Sequence, residues 1–87
     1  MVDLRVQDPR PGHLALGDWP WLPRMIDKAR AKYHGNIGTY VHPCGRDMVL
    51  LRDLGLTSEE FKEVIDSTET DDGVLREIQR RRASMGL

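Results

Sequence analysis

Cysteine is almost missing from this chain: Cys44 stands alone among 87 residues. One thiol closes no intrachain disulfide, which fits a reducing cytoplasm better than a secreted, cross-linked scaffold. Net charge is nearly missing too, at −1, so the whole protein has no bulk attraction to nucleic acid or to an acidic membrane. No stretch approaches the roughly 18 apolar residues that a membrane span needs. The start, Met1-Val2-Asp3-Leu4-Arg5, lacks the apolar run of a signal peptide. A cytoplasmic protein is expected. Also lacking are a glycine-rich phosphate loop, a G-x-S-x-G elbow, an H-E-x-x-H pair, an RNA-recognition motif and a zinc finger. No cofactor is expected from these absences.

What remains is 39% apolar and 31% charged, a polar but foldable balance. Eighty-seven residues make one domain, residues 1–87, in which roughly two-thirds of the chain's surface can be buried. Charge is uneven along it. Up to His34 there are six Lys/Arg against four acids, and from Thr57 to Gln79 eight acids against two bases, before Arg80-Arg81-Arg82.

The clearest stretch runs from Trp21 to Gly35. Pro23 suits the first helical position, and Gly35 suits the left-handed residue just past a helix end. Leu22, Met25, Ile26, Ala29 and Tyr33 recur at helical spacing as one apolar stripe. The spacing puts Arg24 and Lys28 on the outer side, as a basic row that is either solvated or anion-binding. Asp27 lies three residues from both Arg24 and Arg30 and can pair within its own helix.

Before this helix, Pro9, Pro11, Gly12, Gly17 and Pro20 exclude a long regular helix. Residues 1–20 therefore read as an extended arm. Trp19 and Trp21 bracket Pro20, and indoles are costly to leave in water. They form a lid on the central helix or the aromatic wall of a pocket. Beyond Gly35, residues 36–45 read as a loop. Helices are expected over 22–34, 46–54, 58–66 and 72–84. Met48, Val49, Leu51 and Leu54 should line the second. Thr57-Ser58-Glu59-Glu60 has the pattern of a capping box opening the third. Asp71 or Asp72 should open the fourth, with Val74, Leu75, Ile78 and Met85 on one face. The expected fold is all-α: a compact bundle of about four short helices with an extended Pro/Gly-rich arm.

Chemistry is densest at His42-Pro43-Cys44-Gly45-Arg46-Asp47. Three readings stay open there. Cys44 can be a small buried residue with Asp47 as a helix-start charge. It can be an activated thiolate, since it lies just before a helix start beside Arg46. Or it can join a soft-metal site, which would need His13, His34 and His42 to converge on it. With no second cysteine, no metal is expected.

Leu22-Pro23-Arg24, Ile26-Asp27-Lys28-Ala29-Arg30-Ala31, then Gly35, Gly38 and Tyr40, then Cys44 with Asp47 in C-x-x-D spacing resemble the bacterial domain-of-unknown-function family 5069. The resemblance extends from about Asp3 to about Ile78. The residues between and around Cys44 and Asp47 depart from the family's pattern. It implies a small bacterial protein and carries no activity with it. It draws Arg24, Asp27, Lys28, Tyr40, Cys44 and Asp47 together as one constellation.

The expected function is a binding module for a small anionic ligand or a protein partner. Arg24, Asp27, Lys28, Tyr40 and Trp21 are the ligand-binding candidates. The first alternative is a small enzyme or redox sensor using Cys44, with Asp47 as a further catalytic candidate. The second is a weak nucleic-acid binder using Arg80-Arg81-Arg82, disfavoured by the neutral total. A monomer is expected over a homodimer.

Overall fold

Local signals start and stop each helix. The computed structural model describes residues 3–87. Pro23 sits in the first turn of helix α1, Leu22–Tyr33. Its end is a Schellman motif: the Asn36 amide donates to the Ala31 carbonyl at 2.7 Å and the Gly35 amide to that of Lys32 at 3.2 Å. That motif needs a left-handed residue, and Gly35 supplies φ 76°. Helix α2, Gly45–Leu54, ends the same way at Gly55.

Helix α3, Ser58–Asp66, opens on the capping box read in the sequence. The Thr57 amide donates to Glu60 Oε1 at 2.9 Å, and the Glu60 amide donates to Thr57 Oγ1 at 3.1 Å. Helix α4, Asp71–Ser84, is capped by Thr70. Its hydroxyl accepts from the Gly73 amide at 3.0 Å. Asp71 and Asp72 are first-turn charges rather than the cap.

The four helices enclose one core: Leu22, Met25, Ile26 and Ala29 from α1, Leu50, Leu51 and Leu54 from α2, Phe61, Val64 and Ile65 from α3, and Val74 and Ile78 from α4. Three expected core assignments change. Met48 and Val49 are 59% and 43% exposed, because Asp47, Leu50, Leu51 and Leu54 take the inner face at spacings of three and four. Met85 is exposed as well. A carboxylate on the inner face of α2 is what rotated that stripe away from the purely apolar reading.

The fold is mostly helical, and it adds a small sheet that the all-α reading left out. Strands β1, Ala15–Leu16, and β2, Trp19–Pro20, pair antiparallel with Ala15 opposite Pro20 and Leu16 opposite Trp19. Gly17-Asp18 forms the two-residue turn, the shortest hairpin connection. Leu16, Trp19 and Trp21 pack against the core. The radius of gyration is 12.1 Å, close to the about 12 Å expected of a compact chain this long.

Residues 3–14 are tied down by polar contacts. Arg10 is the main anchor. Its guanidinium donates to Asp27 at 3.0 Å and to Asp71 at 2.6 Å, and its amide donates to Asp27 at 2.9 Å. Asp27 is therefore paired across 17 residues and not within its own helix.

Candidate functional site

Two neighbouring clusters share Trp21. The inner one is built on Asp47, whose side chain is fully buried. Asp47 stands in the first turn of α2, where a carboxylate meets the positive end of the helix. Four donors converge on it. Trp21 Nε1 donates to Oδ1 at 2.7 Å. Lys28 Nζ donates to Oδ2 at 2.7 Å, and the Cys44 amide donates to the same oxygen at 3.1 Å. His42 Nδ1 lies 3.1 Å from Oδ2. An ionised carboxylate only accepts, so Nδ1 carries the hydrogen. Burial opposes the Asp47 charge more than any other single influence. The hydrogen bonds from His42, Lys28, Trp21 and the Cys44 amide together outweigh it and hold the carboxyl well below the usual range.

Lys28 also donates to Cys44 Sγ at 3.2 Å. One turn on, Lys32 Nζ donates to the His42 carbonyl at 2.7 Å. One flank of α1 thus holds the 42–47 segment by two ammonium groups, across a cis His42–Pro43 peptide. The His42 ring is buried against Tyr33 and Phe61, with centroids 6.2 and 6.1 Å away. Its Nε2 has no partner among the described residues. Cys44 is partly exposed and free.

The outer cluster gathers cations around aromatic rings. The Arg24 guanidinium lies 5.3 Å from the Trp21 ring centroid and 5.7 Å from that of Tyr40. Arg46 lies 5.4 Å from the same Trp21 ring. Arg24 donates to the Arg10 carbonyl at 3.3 Å, while its Nε is buried with no acceptor among the described residues. Among the described residues no carboxylate pairs with Arg24 or Arg46. The Tyr40 hydroxyl donates to Asp8.

Trp21 is held firmly. Its backbone is left-handed, φ 75°, a region that bulky side chains rarely enter. Such strain persists only where surroundings enforce it and often marks functional positions. Here the Asp47 hydrogen bond and a close backbone neighbour enforce it: a Cβ added to Gly12 would lie 2.3 Å from the indole.

The structure sorts the sequence candidates as follows. Trp21, Lys28, Cys44 and Asp47 meet in the inner cluster, and Trp21, Arg24 and Tyr40 in the outer one. Lys28 does not belong to an exposed basic row: it is 3% exposed and turned inward to Asp47 and Cys44. Asp27 leaves the site altogether, turned to Arg10 and Asp71. Sequence reasoning missed Arg10, which carried no signal inside its Pro/Gly-rich run, and passed over Lys32. His13 and His34 are exposed and do not join His42. Among the described residues no three His, Cys, Asp or Glu side chains are placed to hold a metal ion. The terminal arginines are engaged internally: Arg80 with Glu77, Arg81 with Glu63 and Glu77, and Arg82 with the Asp53 carbonyl.

Residues 6–85 match the family described as Domain of unknown function (DUF5069). The chain belongs to the DUF5069 family. The match spans every residue of both clusters. No curated protein matches the chain, so no activity comes to this DUF5069 protein from a relative. Its function has to be argued from the geometry alone. No described helix is long and apolar enough to cross a membrane.

Proposed function

We propose that this DUF5069 protein binds a small anionic ligand at Arg24 and Arg46, with Trp21 and Tyr40 as the aromatic wall. The supporting observation is the meeting of two guanidinium groups at one indole, with no carboxylate paired to either among the described residues. A guanidinium offers several donors in a planar fork that suits carboxylate and phosphate. Arg24 spends one of its donors on a long bond to a carbonyl. The inner cluster supplies rigidity: it locks Trp21, and through Trp21 the spacing of the two cations. Benzoate and inorganic phosphate, titrated against tryptophan emission, test this. Binding should be saturable for at least one probe and weaken tenfold or more in Arg24→Ala, about 1.4 kcal/mol. A probe that binds with equal affinity to wild type, Arg24→Ala and Arg46→Ala would overturn the reading.

One observation favours a second reading, thiol chemistry at Cys44. An ammonium donates to its sulfur at 3.2 Å, and the α2 N-terminus begins beside it, surroundings that favour a reactive sulfur. Iodoacetamide should then alkylate Cys44 at pH 6.5 much faster than it alkylates a free thiol. A rate at or below the free thiol's makes Cys44 structural. We further place the protein in a bacterial cytoplasm as a monomer, supported by its lone cysteine and by an N-terminal segment anchored on its own chain.

A further inference from the structure

The anion reading leaves one groove unexplained. It holds about 340 Å³ between the hairpin and α2, within the size range of small-molecule sites. Trp19, Trp21 and Val49 wall it, and Arg46, Asp18 and Asp53 supply its charge. Val49 is 43% exposed there, although α2 has a full inner face without it. Arg46, Val49 and Asp53 follow at spacings of three and four, so they form one strip along the helix. Arg46 and Asp53 are two turns apart, about 10.5 Å along the axis.

The two charge types in this groove do not neutralise each other. Arg46 has no ion pair, and neither has Asp18 at the tip of the hairpin turn, among the described residues. Asp53 reaches only Arg52, at 4.0 Å on the exposed surface. Arg82 lies 5.0 Å from the Trp19 ring centroid and donates to the Asp53 carbonyl at 2.9 Å, which fixes the end of α2 against α4. An unpaired cation and an unpaired carboxylate thus share one apolar cleft.

We infer that the ligand is a zwitterion of dipeptide size, with an apolar body between its ends. Its carboxylate pairs with Arg46, its body lies on Trp19, Trp21 and Val49, and its ammonium is accepted by Asp18, with Asp53 nearby. This rests on the proposed anion site, because Arg46 belongs to both. The size follows from the groove, whose about 340 Å³ a single small amino acid would leave largely empty, whereas an extended dipeptide of at most about 7 Å can lie across both indoles. A simple anion would leave Asp18 unused and the cleft wet. A simple cation would meet Arg46.

The test uses the intact chain and three probes: leucyl-phenylalanine, its N-acetyl form and its C-terminal amide. None contains tryptophan, so emission from Trp19 and Trp21 reports binding. Each capped probe should bind the wild type at least tenfold more weakly than the free dipeptide. In Asp18→Asn the penalty for acetylation should vanish while the penalty for amidation remains. In Arg46→Gln the pattern should reverse. Both residues are exposed, and circular dichroism checks that each variant folds. Equal binding of the free and N-acetyl dipeptides, with Asp18→Asn indifferent, overturns the zwitterion and leaves the anion site standing if amidation and Arg24→Ala still weaken binding. No binding of any probe, or binding indifferent to amidation, overturns the zwitterion, and the anion site then stands or falls with benzoate or phosphate binding that weakens in Arg24→Ala.

Discussion

Asp47→Asn is the most informative single change, because its cost can be worked from the contacts. The substitution keeps the shape and removes the charge. It leaves the Lys28 ammonium 3% exposed with no counter-ion. Removing one partner of a buried pair costs about 3–5 kcal/mol. That is a fifth or more of a stability in the usual range of about 5–15 kcal/mol. For a domain of this size it lowers the melting temperature by roughly 12 °C or more. The loss should be largely relieved in Asp47→Asn/Lys28→Met, since replacing both charges by apolar or neutral groups is often neutral or stabilising. Urea and thermal melts followed by tryptophan emission and far-UV circular dichroism measure both. Coincident transitions in the two probes license the free-energy comparison. The sign with pH also follows. The Asp47 carboxyl is depressed in the folded state, so its stabilisation is complete above the unfolded value of about 3.9 and is lost only as pH falls far below the usual carboxylate range. A melting temperature of Asp47→Asn within 4 °C of wild type, or no recovery in the double variant, would refute the reasoning.

Three further outcomes are expected. Gly12→Ala should cost on the order of 1–3 kcal/mol by overpacking and shift tryptophan emission to the red, because its Cβ would lie 2.3 Å from the pinned Trp21 ring; unchanged emission would show that the ring yields freely. The Asp71 carboxyl is lowered, first by its hydrogen bond from Arg10 and against the effect of burial, so the stability advantage of wild type over Arg10→Gln should be full above about pH 5 and shrink as pH falls below the unfolded value of about 3.9. An advantage unchanged down to pH 2 would place the anchoring elsewhere. Deleting residues 1–18 should lower stability by a few kcal/mol through lost apolar burial while light scattering reports a monomer before and after. A dimer that becomes a monomer on truncation would make the N-terminal segment an interface.

What the sequence disclosed was local. The Leu22 to Ala29 stripe, the stop at Gly35 and the Thr57–Glu60 capping box are each written within a few neighbouring residues, and each was legible. The side on which Lys28 lies was not. It sits at the margin of the apolar stripe, and helical periodicity cannot say whether a margin residue turns to water or to a buried partner. Its partner, Asp47, comes from another helix 19 residues on. Asp27 misled in the same way, since a partner three residues off was visible and Arg10 was not. Met48 and Val49 were misassigned because apolar residues alone were counted, and the inner face of α2 begins with a carboxylate. The hairpin escaped because its strands have two residues each, and Gly17 and Pro20 read only as breakers. Of the candidate site, the residue types near Cys44 were visible. The convergence of Arg24 and Arg46 on Trp21 was not, because it depends on a left-handed tryptophan that no local pattern announces.

The central claim is that Arg24 and Arg46 hold an anion beside Trp21. The most direct measurement is the ¹H–¹⁵N spectrum of the arginine Nε–H and indole Nε1–H groups during a titration with benzoate. The Arg24 Nε–H, buried without an acceptor among the described residues, and the Arg46 Nε–H should shift saturably with one common affinity. The Trp21 indole N–H, locked to Asp47 at 2.7 Å, should keep its hydrogen bond and move far less. Arginine signals that stay still, or that drift in proportion to ionic strength without saturating, would contradict the account.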